Sequence, residues 1–432
     1  MKTILFSAVF NTSQRPERLR FLTNVLQSFP EPVRFVAFNL SGKAEADFEI
    51  VDGTGGFKPN LNKPHEYLAN LLKQRSPSSA KLLMDHVHGE FGKNTSLYEK
   101  SIEKIIYLIL EFERQLDKLD PDYVYLWNQF NSFHSILAEL LVQRSIKYGF
   151  FHDGVLPGSI ALDADGEMGE SWIAREPQKF MDVTISESDM KRARNFIDSL
   201  GVESINRHPQ IEEISVREAL FNAKLDGRPI VFLAGQNDWH SGIKPRSDRR
   251  CMHSHIFPGS AEALVAMDQI AGDLGVTILF KPHPLSKDKY TFLRQEDLKN
   301  SLILSSTSMQ ACLDAADLVA TIASQTCYVA LMANKPVLML GKNQVTDKGL
   351  TYDAKTESEI HGLIKQGIED PLSGNRRQTF ARHVAQLERV YLFDYNTINT
   401  DYYRRGAIEA AEYMKASTEF TAKDVIKMQI TS

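Results

Sequence analysis

Apolar residues in the first 200 positions follow two alternating rhythms. Short, mostly apolar runs at 3–10, 33–38, 123–126 and 148–152 predict buried strands. One-sided apolar stripes predict helices at 16–27, 64–74, 96–119, 132–146 and 188–200. In 132–146 the stripe is Ile136, Leu137, Leu140 and Leu141. Pro16 and Pro64 suit a first helical position, where a missing N–H costs nothing. Such alternation implies parallel strands joined by crossover helices.

The pattern then changes. Asp165-Gly166 lies between two short extended runs within 159–171 and reads as a hairpin turn. Residues 207–229 are polar, with one helical patch, and predict a linker. Beyond it the alternation restarts, with strands at 230–234, 276–280, 302–304, 318–322 and 336–340. Helices are expected at 261–274, 309–315 and 325–333. The tyrosine-rich stretch 391–414 reads as a helix that docks back. The expectation is an α/β protein of two Rossmann-like domains, 1–208 and 209–390, with a helical segment, 391–432, packed on the first.

Composition agrees with two ordinary cores in 432 residues, 43% of them hydrophobic and 24% charged. A net charge of −5, with both signs interspersed, argues against a nucleic-acid partner. Cys251, Cys312 and Cys327 form no CxxC pair, so neither a disulfide framework nor a structural zinc site is expected, and a reducing cytoplasm fits. The N-terminal apolar run is too short for a signal peptide, and the stretch around 105–110 is too short for a membrane span.

In a doubly wound sheet, ligands bind beyond the carboxyl ends of the strands. After the strand at 230–234 come Gln236, Asn237 and Asp238, two amides and a carboxylate able to act as nucleophile or base. Solvated side chains in an Asx turn would look the same. After the next strand come Lys281 and His283, the latter fixed between two prolines, a pair suited to a phosphate oxygen. After the strand at 318–322 come Ser324, Gln325 and Thr326, which add hydroxyls where a helix begins. In the first half, His152 and Asp153 follow a strand, and either suits a base for an acceptor hydroxyl. The alternative there is a plain turn around Gly154.

Several look-alikes fall short. The glycine loop 53–56 lacks the GxGxxG spacing. Asp163-Ala164-Asp165 matches a metal-holding DxD pattern but sits in the expected turn, and Cys251, His253 and His255 lack a completing cluster. No GxSxG elbow or Walker loop is present.

The ordered motifs resemble the bacterial capsule polysaccharide biosynthesis and export family, whose well-understood members are retaining β-Kdo glycosyltransferases. The resemblance rests on YLWN at 125–128, FFHDGVLPG at 150–158, IALDADG at 160–166, KPHP at 281–284, SQT at 324–326 and NKPV at 334–337. It implies a GT-B-like arrangement with a cleft between the domains and a CMP-β-Kdo donor. It further implies a reaction without metal or other cofactor, and a saccharide or lipid-linked glycan acceptor of O-antigen or capsule assembly. Lys281, His283, Ser324, Gln325 and Thr326 would hold the CMP phosphate, with Asp238 as the nucleophile of a double displacement. The family has Glu where this chain has His152. A cytoplasmic enzyme peripherally associated with the inner membrane would follow. An inverting enzyme of the same fold with a UDP-sugar, or a non-catalytic polysaccharide-binding or export factor, are the competing expectations.

Overall fold

Neighbouring residues of the first strand are buried in different cores. Ile4, Phe6 and Ala8 join one apolar cluster, whereas Leu5 joins another. A strand buried on both faces reads as a continuous apolar run, which is why the alternation along 3–10 was hidden. A computed structural model describes residues 1–10, 12–13, 16–56, 61–92, 96–200, 215–246, 253–284, 293–396 and 405–431.

The strands, in chain order, are β1 (Lys2–Ala8), β2 (Val33–Asn39), β3 (Glu49–Asp52), β4 (Tyr123–Leu126), β5 (Tyr148–Asp153), β6 (Ser159–Asp163) and β7 (Ile230–Ala234). They continue with β8 (Thr277–Lys281), β9 (Ser301–Ile303), β10 (Leu318–Thr321), β11 (Val337–Met339), β12 (Tyr352–Asp353) and β13 (Leu392–Asp394). Two sheets result, ordered β13-β6-β5-β4-β1-β2-β3 and β12-β11-β10-β7-β8-β9. Read from the far edge, each runs third, second, first, fourth, fifth, sixth in its own sequence. That is the Rossmann order, with its winding reversal between β1 and β4 and again between β7 and β10. The second sheet is parallel throughout, and in the first only β6 runs against its neighbours. The α/β class and the two Rossmann-like sheets are as expected.

The chain divides into two compact units, 1–167 with 387–432, and 168–386. The helices between Trp172 and Ser199 therefore group with the second sheet, whereas the sequence suggested a break near 208. Of the expected linker, 215–229 is described and carries the helix Val216–Asn222.

In the first unit, helices line both faces. Pro64–Arg75, Ala80–Phe91, Ser96–Leu119 and Ser132–Gln143 cover the Leu5 side, while Pro16–Gln27 and Ala407–Glu419 cover the Ile4 side. The C-terminal helix thus docks on the first domain. It does not start at 391, however, because Leu392–Asp394 pairs antiparallel with β6 as the edge strand of the first sheet. A second correction concerns Asp165-Gly166. The hairpin joins β5 to β6 and turns at 154–158, where Gly158 has φ +74° and Gly154 N–H donates to Ser159 O. Asp163 Oδ1 instead accepts the N–H groups of Asp165 and Gly166, and the chain enters a short 3-10 turn, Met168–Glu170. Among the described residues no helix is long and apolar enough to cross a membrane.

Phe393 of β13 is fully buried in the cluster that contains Phe6 and Tyr413. Phe393→Ala should remove about 3–5 kcal/mol of stability, read by denaturant unfolding. An unchanged midpoint would show that the returning strand is no part of the folded sheet.

Candidate functional site

The winding reversal in the second sheet opens the carboxyl ends of β7 and β10 to a ligand. The loops leaving these two strands are tied together. Gln236 Oε1 accepts the backbone N–H of Ala323 at 2.9 Å, and Gln236 is 2% exposed. Asn343 Nδ2, after β11, donates to Ala323 O at 2.6 Å. Thr321 Oγ1 donates to Ala234 O at 3.3 Å. Buried amides and hydroxyls spend their hydrogen bonds on one another, which fixes the rim of the site. Gln236, expected to bind ligand, therefore commits its carbonyl to the scaffold. Asn237 is buried beside it, and its Oδ1 has no partner among the described residues.

Lys281 closes β8 and is 5% exposed. Its ammonium has no hydrogen bond or ion pair among the described residues. Burial pushes its pKa below the ordinary lysine value, because the charged form loses water, and the Cys312 sulfur pulls it only partly back. A ligand phosphate would restore that balance. His283 follows two residues later and is half-buried. On β10's loop, Ser324 Oγ lies 3.0 Å from Thr326 Oγ1 and accepts the Thr326 N–H at 3.2 Å. Gln325 occupies the N-cap position of the helix Thr326–Met332. The Ser324 hydroxyl thus does serve the helix start, as an ordinary cap would. β7 stands between β8 and β10, so Lys281 and the Ser324 turn leave strands about 10 Å apart.

Asp238 is 7% exposed and heavily engaged. Its Oδ1 accepts the Ser260 hydroxyl at 2.7 Å, and its Oδ2 accepts the Ser260 N–H at 3.1 Å. Lys244 Nζ lies 3.6 Å from Oδ2. Asp238 thereby supplies the cap for the helix Ser260–Leu274, whose own N-cap, Gly259, has no side chain to offer. A Cβ at Gly259 would lie 2.6 Å from Asp238 Oδ2, so the carboxylate and the helix entry touch. Burial raises the Asp238 pKa, and Ser260 and then Lys244 pull it back.

Sequence motifs gave no sign of the loop after β11. Asn343, Gln344, Thr346 and Lys348 are all buried there, and Lys342 is half-buried. Gly341 has no room for a side chain, since a Cβ would meet His253 O at 2.2 Å. His253 is fully buried, with Nδ1 2.9 Å from Ser241 O. Burial, with help from the Lys342 charge, drives its pKa down to about 4, so at neutral pH Nδ1–H donates to that carbonyl. His253 is thus a structural pin. Its expected companion Cys251 lies outside the described residues. No cluster of three metal-ligating side chains occurs among the described residues.

In the first unit, Asp153 is bound at 3.1 Å by Arg18 and at 2.6 Å by the Tyr395 hydroxyl. Arg18 lies over the Trp127 ring at 3.5 Å and donates to Val9 O. Asp153 therefore ties the helix Pro16–Gln27 and the chain beyond β13 to the end of β5. His152 is 7% exposed, with Nε2 3.5 Å from the Tyr391 hydroxyl. Glu167 went unread in the sequence. It is 6% exposed, its N–H donates to Gln129 Oε1 at 2.7 Å, and its carboxyl faces the backbone N–H groups of Gln129 and Asn128. Asn128 is left-handed, φ +57°, which turns the chain sharply after β4. Burial outweighs those donors and pushes the Glu167 pKa up to about 8.

A folded pKa near 8 against an ordinary 4.5 means that the folded chain keeps a proton which the unfolded chain releases between those values. The resulting stability is complete below pH 4.5 and is lost as pH rises through about 8. Thermal unfolding from pH 5 to 9 should show this decline. Glu167→Gln should flatten it and gain on the order of a few kcal/mol at the alkaline end.

Residues 257–391 match a sequence profile of the family described as "Capsule polysaccharide biosynthesis protein". That span holds Lys281, His283 and 324–326, and lies outside Asp238 and the strands of the first half. A comparison with curated proteins finds no match. Among solved structures the chain is similar to KpsC of Thermosulfurimonas dismutans, a beta Kdo 2,7 transferase, at 16% identity over 78% of this chain and 97% of that one, with a TM-score of 0.42. The beta Kdo 2,4 transferase of the same KpsC follows at 15% identity, over 63% and 81%, with a TM-score of 0.41. The glycosyltransferase SnogD of Streptomyces nogalater is 11% identical over 96% and 99%, with a TM-score of 0.35. Over 257–391, then, this chain is similar to the capsule polysaccharide biosynthesis proteins that its strand-end motifs resemble.

Proposed function

We propose that the chain is a glycosyltransferase of bacterial surface-polysaccharide assembly that takes its sugar from CMP-β-Kdo. The observation that carries this reading is the buried Lys281, its ammonium unpaired among the described residues, two strands from the Ser324 and Thr326 hydroxyls and one strand from Asp238 at the reversal of a parallel sheet. The profile match over 257–391 supports the polysaccharide context.

In the proposed reaction the phosphate of the donor lies against Lys281, His283 and the 324–326 turn. Asp238 Oδ2, which lacks the short hydroxyl bond of Oδ1, attacks the anomeric carbon. The bond from that carbon to the phosphate oxygen breaks, and CMP departs with the electron pair, its charge met by Lys281. The acceptor hydroxyl then displaces the carboxylate from the opposite face, so configuration is retained overall. Its proton passes to a base. No step calls for a metal. Ser260 keeps the Asp238 carboxylate in one orientation, so little is lost in ordering it for attack.

Incubation with CMP-β-Kdo and no acceptor should leave one sugar residue on Asp238, found by intact and peptide mass spectrometry. Asp238→Asn can still accept the Ser260 N–H, so it should fold, bind CMP as wild type does, and lose transfer by about a thousandfold or more. Full transfer by Asp238→Asn would eliminate the covalent route. Binding of UMP or UDP in preference to CMP would eliminate the donor.

A further inference from the structure

Lys281 is not the one unpaired cation at the carboxyl edge of the second sheet. Lys342, three residues past the end of β11, also has neither hydrogen bond nor ion pair from its ammonium among the described residues. Its backbone is held firmly. The Lys342 N–H donates to His253 O at 2.6 Å, the neighbouring Asn343 grips Ala323 O at 2.6 Å, and Gly341 admits no side chain. Several other lysines of the second unit do find acceptors: Lys335 on Ala316 O, Lys348 on Thr346 O, Lys355 on Asp347 and Lys244 on Asp238. Lys342 thus stands half-buried on a rigid loop, and its ammonium meets no acceptor among the described residues.

The sheet order fixes which side it serves. β11 neighbours β10 on the flank away from β7 and β8, so Lys281 and Lys342 leave strands about 14 Å apart, with the Ser324 turn between them. One phosphate diester carries a single charge, which Lys281 and the hydroxyls suffice to meet. In a sugar derived from a 2-keto acid, a carboxylate sits on the same anomeric carbon as the phosphate. Two anions are then neighbours, and a cation approaching from each side of the turn meets one each. We propose that Lys342 binds the carboxylate of an acidic sugar and so selects donors whose sugar is itself anionic. This rests on the donor reading above and adds a residue to it.

The test is calorimetric titration of the full chain with CMP and, separately, with CMP-β-Kdo. Lys342→Met keeps the length of the side chain and removes its charge. It should weaken CMP-β-Kdo about 10- to 100-fold and leave CMP unchanged. Lys342→Arg should keep most of the donor affinity, and Lys281→Met should weaken both ligands. Equal loss of CMP and donor in Lys342→Met would place the lysine on the phosphate and overturn the proposal, as would no loss of either. A melting temperature of Lys342→Met equal to wild type keeps misfolding out of the comparison. Wild type that fails to bind CMP would instead overturn the donor reading itself, and this inference with it.

Discussion

Ala323 gives its backbone N–H to the Gln236 side chain across the line where the second sheet reverses its winding. Elsewhere in such a sheet a crossover helix covers the gap between adjacent strand ends. At this line neither neighbour has one, and the crevice needs a brace of its own. Gln236 provides it from β7's loop, and Asn343 extends it to β11's loop through the carbonyl of the same Ala323. Because all six strands run the same way, every one of these loops leaves by the same edge. Lysines, hydroxyls and a carboxylate from segments spread over about 100 residues of sequence are gathered there without any motif that links them.

The same bracing sets the character of Asp238. It caps a fifteen-residue helix through Ser260 and also lies at the crevice edge. A carboxylate that serves the fold in this way has little rotational freedom, and burial keeps it less acidic than an exposed one. Both properties suit a group that must point in one direction and accept a covalent bond. In the proposed reaction structure and chemistry would compete for the same two oxygens, whose hydrogen bonds to Ser260 are unequal.

Much of the frame was legible because local chemistry and tertiary role coincided. The bounds Pro16–Gln27, Ser96–Leu119, Tyr123–Leu126, Ile230–Ala234 and Met309–Ala315 follow directly from apolar runs and stripes. Where the two diverged, reading failed. Ser373–Val390 is rich in arginine and polar residues, yet its helix carries Phe380, Val384 and Leu387 inward. Leu392–Asp394 is three residues long and becomes a strand solely because β6 offers it an edge. The identity of Asp238 was visible, but its bond to Ser260, 22 positions away, was not. Lys342 and Glu167 stand in unremarkable sequence and take their significance from what does, or does not, surround them in space.

The edge strand at Leu392–Asp394 also orders events in time. The second unit is one continuous stretch, 168–386, whereas the first is built from two ends of the chain. During synthesis the interior unit is complete while the opening sheet still lacks its last strand and the helix at Ala407–Glu419. In chain order, the first sheet keeps an open edge at β6 until β13 pairs with it, after the whole of 168–386.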